Sequence, residues 1–166
     1  RERSIGLGAM GFHALLQSKN MPLESAPAIG LNRTIFKHIK DSAHLASKAL
    51  ADERGECPDM EGYGVRHAHL LAIAPNASSG ILADSSPSIE PYRANVFVQK
   101  TLSGSFTIKN KFLKARLEEL GIDNASTWKS ILAERGSVQH LEELTDWDKL
   151  VFKTALEIDQ QWLVTH

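Results

Sequence analysis

Apolar residues recur at helical spacing in several stretches of the chain, with short extended runs between them. Near the start, Phe12, Leu15 and Leu16 fall at i, i+3 and i+4, which predicts a short helix within Gly8 to Ser18. Asn20, Pro22 and Glu24 break it. A long helix is expected from about Ala28 to Arg54, where Leu31, Ile35, Ile39, Ala43, Ala46 and Leu50 make one stripe. Gly55 suits a left-handed stop, and Lys48 and Arg54 suit the negative end of the dipole. The run His69-Leu70-Leu71-Ala72-Ile73-Ala74 is short, mostly apolar and bounded by breakers, the pattern of a strand buried on both faces. Pro75 to Tyr92 reads as a loop with room for one helical turn. Ala94 to Leu102 and Ser105 to Ile108 read as two weaker extended segments.

Downstream the period becomes helical again. Phe112, Leu113, Leu117 and Leu120 end at Gly121, and Trp128, Ile131 and Leu132 end at Gly136. A last helix is expected to carry Leu150, Val151, Ala155, Ile158, Trp162 and Leu163, capped by Thr145 or Asp146. Nothing repeats at a period of a solenoid. The fold class is therefore α/β and helix-rich, with too few strands to close an ordinary sheet alone.

A length of 166 residues suggests one domain. Hydrophobic residues at 42% and charged residues at 23% exclude a disordered or low-complexity chain. Nineteen Lys and Arg against twenty Asp and Glu give no basic excess, so direct nucleic-acid binding is not expected. The one cysteine, Cys57, excludes an internal disulfide and a four-thiolate zinc site. It suits a reducing, cytoplasmic setting. No apolar run is long enough to span a membrane, and a membrane is not expected as a partner. The chain opens at Arg1 and closes just after the apolar Trp162-Leu163-Val164, so it reads as a piece of something larger.

Two motifs carry possible chemistry. Gly6-Leu7-Gly8-Ala9-Met10-Gly11 matches the dinucleotide pattern G-x-G-x-x-G, which needs a preceding strand. Only Arg1 to Ile5 precedes it, too short and charged for a central strand, so close packing at a helix start is the plainer reading. Pro75-Asn76-Ala77-Ser78-Ser79-Gly80 follows the expected strand, where α/β sheets collect ligands. Small residues there expose backbone N–H groups, and hydroxyls add donors for phosphate oxygens. The rival is a Ser-rich turn in which Ser78 or Ser79 caps a helix. His67 and His69 would share a strand face but have no evident third ligand, so no metal site is expected. Cys57 has no identifiable base beside it, Trp128, Trp147 and Trp162 read as core or interface anchors, and Glu142 and Glu143 as a solvated face.

Several runs together resemble the large (alpha) subunit of aerobic, class I ribonucleotide reductase. They are Arg3 to Gln17, Glu53 to Asp59, Ala72 to Ser79, Ser86 to Pro91, Lys100 to Phe106, Gly136 to Leu141 and Val151 to Gln160, in order. The resemblance implies a ten-stranded α/β barrel in two halves, of which residues 1–166 would be a single carboxyl-side segment. It implies reduction of ribonucleoside diphosphates to deoxyribonucleotides. In that chemistry a cysteine thiyl radical takes the ribose 3′-hydrogen and a cysteine pair supplies electrons. The implied partners are the remaining amino-terminal part of the large subunit, a second large subunit in a dimer, and a small subunit that generates a metal-dependent radical. Thioredoxin or glutaredoxin would restore the thiols; no cofactor is implied within this segment.

By position, the family's substrate-phosphate loop falls on Ala77, Ser78 and Ser79, with Pro75 and Asn76 setting the turn. Asn76 stands where relatives often carry a small hydroxyl residue. No residue of the chain matches a catalytic one: Cys57 corresponds to none of the three thiols, and Tyr63 and Tyr92 are not the paired relay tyrosines. The segment alone is expected to be inactive. The alternatives are a nicotinamide-dependent dehydrogenase using residues 6–11 and a helical interaction module without a site.

Overall fold

The computed structural model describes residues 1–166. Five of its seven α-helices begin on a polar side chain that accepts an amide of the first turn, the local signal expected at a helix start. Ser25 caps α2 (Ala26–Arg54), Asn110 caps α4 (Lys111–Glu119), and Asn124 caps α5 (Ala125–Ala133). Thr145 opens α6 (Asp146–Val151) with a full capping box through Asp148, and Asp159 caps α7 (Gln160–Thr165). The exceptions are α1 (Phe12–Ser18) and α3 (Ala77–Leu82), which start from left-handed residues, Gly11 and Asn76, without a side-chain cap. The only sheet is an antiparallel hairpin of β1 (Val96–Thr101) and β2 (Gly104–Lys109), registered Val96 against Lys109 and turning at Leu102-Ser103.

Two apolar clusters hold these elements. The larger gathers Val96 at the hairpin base, Leu113 and Leu117 of α4, Trp128 and Ile131 of α5, Val138, Leu141 and Leu144 after it, and Val151 and Phe152. The smaller joins Phe12 and Leu16 of α1 to Leu23, Ala28 and Ile158, with Trp162 and Leu163 of α7 packed on it. Between them lies a polar network with its donors satisfied. Asn95 Nδ2 donates to the carbonyls of Gly136 (3.0 Å) and Phe152 (2.8 Å). Asn110 Nδ2 donates to Asn95 Oδ1 (2.8 Å) and Gln17 Oε1 (2.9 Å), and Gln17 Nε2 to the Val151 carbonyl (3.2 Å). Pairing of this kind offsets the cost of burying polar groups. At the edge, Arg116 grips the buried Asp148 in a fork of 3.0 and 3.2 Å. Burial raises the Asp148 pKa, but the Arg116 and Thr145 hydrogen bonds outweigh it and hold the carboxyl below its usual range.

Three expectations change. Residues 69–74 are extended but not a buried strand: Leu71 and Ile73 are exposed, and pairing is limited to a parallel bridge from Leu71 to Leu7. Burial on both faces needs covering layers and two neighbours, and within this chain the single neighbour is the segment before α1. Ile5 and Leu7 donate to the carbonyls of His69 and Leu70, and Ala72 donates back to Leu7. Second, the last helix is two. Thr154, its partner Glu157 and the Asp159 cap hydrogen-bond the local backbone, which competes with helix continuation through residues 152–159. Third, the stripe of α2 is only half covered and Ala46 is exposed, because its ends alone are packed, at Ala28 and Asn32 and at Ser47 and Ala51.

Gly6 and Gly8 lie against this parallel ribbon. A Cβ at Gly8 would fall 2.4 Å from the Ala72 carbonyl oxygen, and one at Gly6 2.9 Å from the Ala72 Cβ. Backbone at that distance cannot be cleared by a rotamer change. Gly8→Val is therefore expected to part the ribbon and abolish protection of the Ala72 amide in hydrogen exchange. Unchanged protection would show that the close approach is not what glycine serves.

Candidate functional site

The segment after the extended run turns at Asn76, whose φ of 52° and ψ of 28° are left-handed, and enters α3 in right-handed geometry. Asn tolerates that region better than most residues. A left-handed residue followed by right-handed ones points successive N–H groups into one concavity, an anion-binding nest. The amides of Ala77, Ser78 and Ser79 have no acceptor, and the first intrahelical bond there is Gly80 N–H to the Asn76 carbonyl at 2.8 Å. The side chains of Ser78, Ser79 and Asn76 make no hydrogen bond either. Ser78 and Ser79 are exposed, Pro75 and Ala77 likewise, so nothing covers the turn. The alternative in which Ser78 or Ser79 caps a helix is excluded, since α3 starts from Asn76 and neither hydroxyl caps it.

One end of a groove of about 1030 Å³ is formed by Ala77 and Gly80. Its walls include Tyr92, Arg93, Phe97, Lys109 and Arg135, with Asp84 and Glu90 as the acids. Burial, and then the charge of Asp84, push the Tyr92 phenol up to about 12, so it stays a neutral hydroxyl at physiological pH. Lys109 lies over the Trp128 ring, 4.6 Å from its centroid, and Asp84 pairs with Lys111 at 3.2 Å. Arg93 and Arg135 form no ion pair and give the groove, which Ala77 also lines, cationic walls. Such a site offers hydrogen-bond donors and positive potential to an anion, with apolar surface next to them.

The other sequence motifs resolve differently. The glycines of residues 6–11 serve packing rather than a dinucleotide turn: Leu7 N–H is spent on Leu70, and Gly11 sits where a Cβ would strike Ser85 Oγ at 2.4 Å. His67 Nδ1 meets Ser47 Oγ at 3.1 Å, and His69 lies in the ribbon. No three His, Cys, Asp or Glu side chains gather as metal ligands. Cys57 is a free, fully buried thiol. Trp128 is buried, Trp162 packs on the smaller cluster, and Trp147 is half exposed with Nε1 donating to the Asn20 carbonyl. No helix is long and apolar enough to cross a membrane.

The residues that sequence reasoning missed around the site are His13 and Ser86. They lie fully or almost fully buried and join α1 to the segment after α3. Their signal was local and faint: His13 is adjacent to Phe12 and three residues from Leu16, inside the predicted apolar stripe.

Known proteins match the chain along its whole length. The family model described as ribonucleotide reductase, barrel domain, matches residues 1–63 and 58–166. The putative ribonucleoside-diphosphate reductase large subunit of Frog virus 3 is 50% identical over 163 residues, covering 98% of this chain and 29% of that protein. The ribonucleoside-diphosphate reductase large subunit of Invertebrate iridescent virus 3 is also 50% identical, over 98% of this chain and 26% of its own length. Among solved structures, the Actinobacillus ureae class Id ribonucleotide reductase alpha subunit superposes with a TM-score of 0.87 at 42% identity, over 99% of this chain and 30% of that one. The chain thus spans less than a third of the length of these relatives. Matched along its whole length in sequence and in backbone, this chain belongs to the ribonucleotide reductase barrel-domain family.

Proposed function

We propose that this chain is the part of a ribonucleoside-diphosphate reductase large subunit that anchors the substrate's diphosphate and supplies barrel scaffold. The observation that carries this is the set of three unclaimed, exposed amides at Ala77, Ser78 and Ser79, of which Ala77 also lines the groove. Five of the other helices spend first-turn donors on their own caps. At α3 the donors are left for a ligand, and the Ser78 and Ser79 hydroxyls add two more. Charge-assisted hydrogen bonds of this kind fix a phosphate's position strongly. Pro75 and Asn76 shape the turn, and the Asn76 contribution is its backbone conformation rather than its carboxamide.

The radical chemistry belongs to the complete enzyme. Three active-site thiols cannot come from a chain whose one cysteine, Cys57, is buried. On this reading the segment contributes no catalytic residue and works with the amino-terminal part of the large subunit, in a large-subunit dimer served by a small radical-generating subunit. Thioredoxin or glutaredoxin restores the thiols, and the setting is cytoplasmic. A dehydrogenase acting through residues 6–11 is not favoured, because those glycines are occupied in backbone packing.

Ser78→Ala combined with Ser79→Ala, placed in the complete large subunit, is expected to weaken ribonucleoside-diphosphate binding by about 1–3 kcal/mol, the scale of lost hydrogen bonds to a charged group. Amide NMR signals of Ala77 to Ser79 should shift on adding the diphosphate. Absence of any shift in the unmodified protein would remove the site. The purified segment should show no reductase turnover, and turnover by it alone would refute the division of labour.

A further inference from the structure

Two helices lack side-chain caps, and they are connected. Two first-turn amides of α1 are taken by the segment that follows α3: Phe12 N–H donates to the Ser88 carbonyl (3.3 Å) and Ala14 N–H to Ser86 Oγ (3.1 Å). In the opposite direction, Tyr92 N–H donates to His13 Nδ1 (3.0 Å). That segment also holds α3. Ser85 N–H donates to the Gly80 carbonyl (2.9 Å), and Gly80 packs so closely that a Cβ there would meet the Ser85 oxygen at 3.2 Å and Pro87 at 3.4 Å. On its far side, residues 77–79 are open to solvent. The placement of α3 therefore depends on residues 85–92, and these are fastened to α1.

We infer that His13 is a positioning residue for the phosphate loop, holding residues 85–92 through the Tyr92 amide and thereby aiming the amides of Ala77 to Ser79. The inference rests on the reading of that loop as the phosphate anchor. His13 is fully buried and does not itself line the groove. Its Nδ1 accepts from a backbone amide, so the ring hydrogen sits on Nε2, which has no hydrogen-bond partner. An apolar side chain would fill the same space without that orphaned donor. What the imidazole adds is the acceptor for Tyr92. Burial lowers its pKa to about 4, with the Val151 carbonyl pulling the other way without closing a hydrogen bond to Nε2, so the acceptor is present at neutral pH. Tyr92 is tied at its other end too, since its carbonyl accepts Ala155 N–H at 2.9 Å. The Tyr92 link thus reaches both the α1 cluster and the turn before α7.

The test compares His13→Leu with His13→Asn in the complete large subunit. Asn carries an oxygen near the Nδ1 position and can take the Tyr92 amide; Leu cannot. His13→Leu is expected to raise KM for the ribonucleoside diphosphate about tenfold with kcat within about twofold, and His13→Asn to restore KM to within about threefold. A role confined to stability would lower the yield of active protein and leave KM alone in both variants, and that result overturns the inference. Where His13→Leu does not fold, His13→Asn decides through hydrogen exchange: a Tyr92 amide protected as in the unmodified protein supports the inference, and one exchanging as an open loop overturns it. Inorganic pyrophosphate separates the two readings. No response of the Ala77 to Ser79 amides in the unmodified subunit sinks the phosphate anchor. A response that persists unaltered in His13→Leu sinks the positioning role alone.

Discussion

Replacing Asn95 with leucine is expected to cost about 3–5 kcal/mol of folding stability, the range of core changes that strand buried polar partners. The two side chains share the same branched heavy-atom skeleton, so the polar bonds rather than the shape are the main loss. Asn95 is almost fully buried, and its carboxamide closes three hydrogen bonds, to the Gly136 and Phe152 carbonyls and from Asn110. Leucine leaves the Phe152 carbonyl without this donor and takes from Asn110 one of its two acceptors, in surroundings where water cannot substitute. The network also ties the hairpin base to α4 and α1, so the loss spreads beyond one contact. Urea denaturation of Asn95→Leu against the unmodified protein measures it. A loss under about 1 kcal/mol would mean that the network is idle.

Acid should destabilise the fold over a window set by His13. In the unfolded chain this imidazole takes up a proton near pH 6.5, whereas burial keeps it neutral in the folded chain down to about pH 4. Between those values the unfolded state holds more protons, so stability falls as pH drops. The interval corresponds to about 3 kcal/mol from this residue, all of it lost by pH 4 and none of it at pH 7.5. Asp148, whose carboxyl is held below its ordinary range, adds a further loss in the same direction as pH falls through its folded value. His13→Asn does not titrate. Its unfolding free energy should therefore fall about 3 kcal/mol less between pH 7.5 and pH 4 than that of the unmodified protein. Parallel pH profiles for the two proteins would refute a neutral, buried imidazole.

Local features were legible in the sequence because local physics sets them. Thr145 was readable as a cap, Gly55 as the end of the long helix, and the two weak extended segments became the paired hairpin. The turn at residues 75–80 was readable as a source of free amides because small residues and a following helical turn leave donors unspent. What failed depended on distant partners. The run at residues 69–74 has the composition of a doubly covered strand, but cover is a property of neighbours, and this chain brings one. The break between α6 and α7 hinges on Glu157 turning back to Thr154 and reaching Ser137, an arrangement without a periodic signature. His13 escaped for the same reason, since its partner Tyr92 lies 79 residues away.

The parallel ribbon has a kinetic consequence. Its bridge joins Leu7 to Leu71, across the whole of α2, while the hairpin strands are separated by two residues. The entropy of closing a long loop must be spent before such a contact returns anything, whereas a hairpin forms in microseconds. The hairpin and its helices should therefore assemble early. The ribbon that leads into the turn at residues 75–80 should be the last part to order and the first to open.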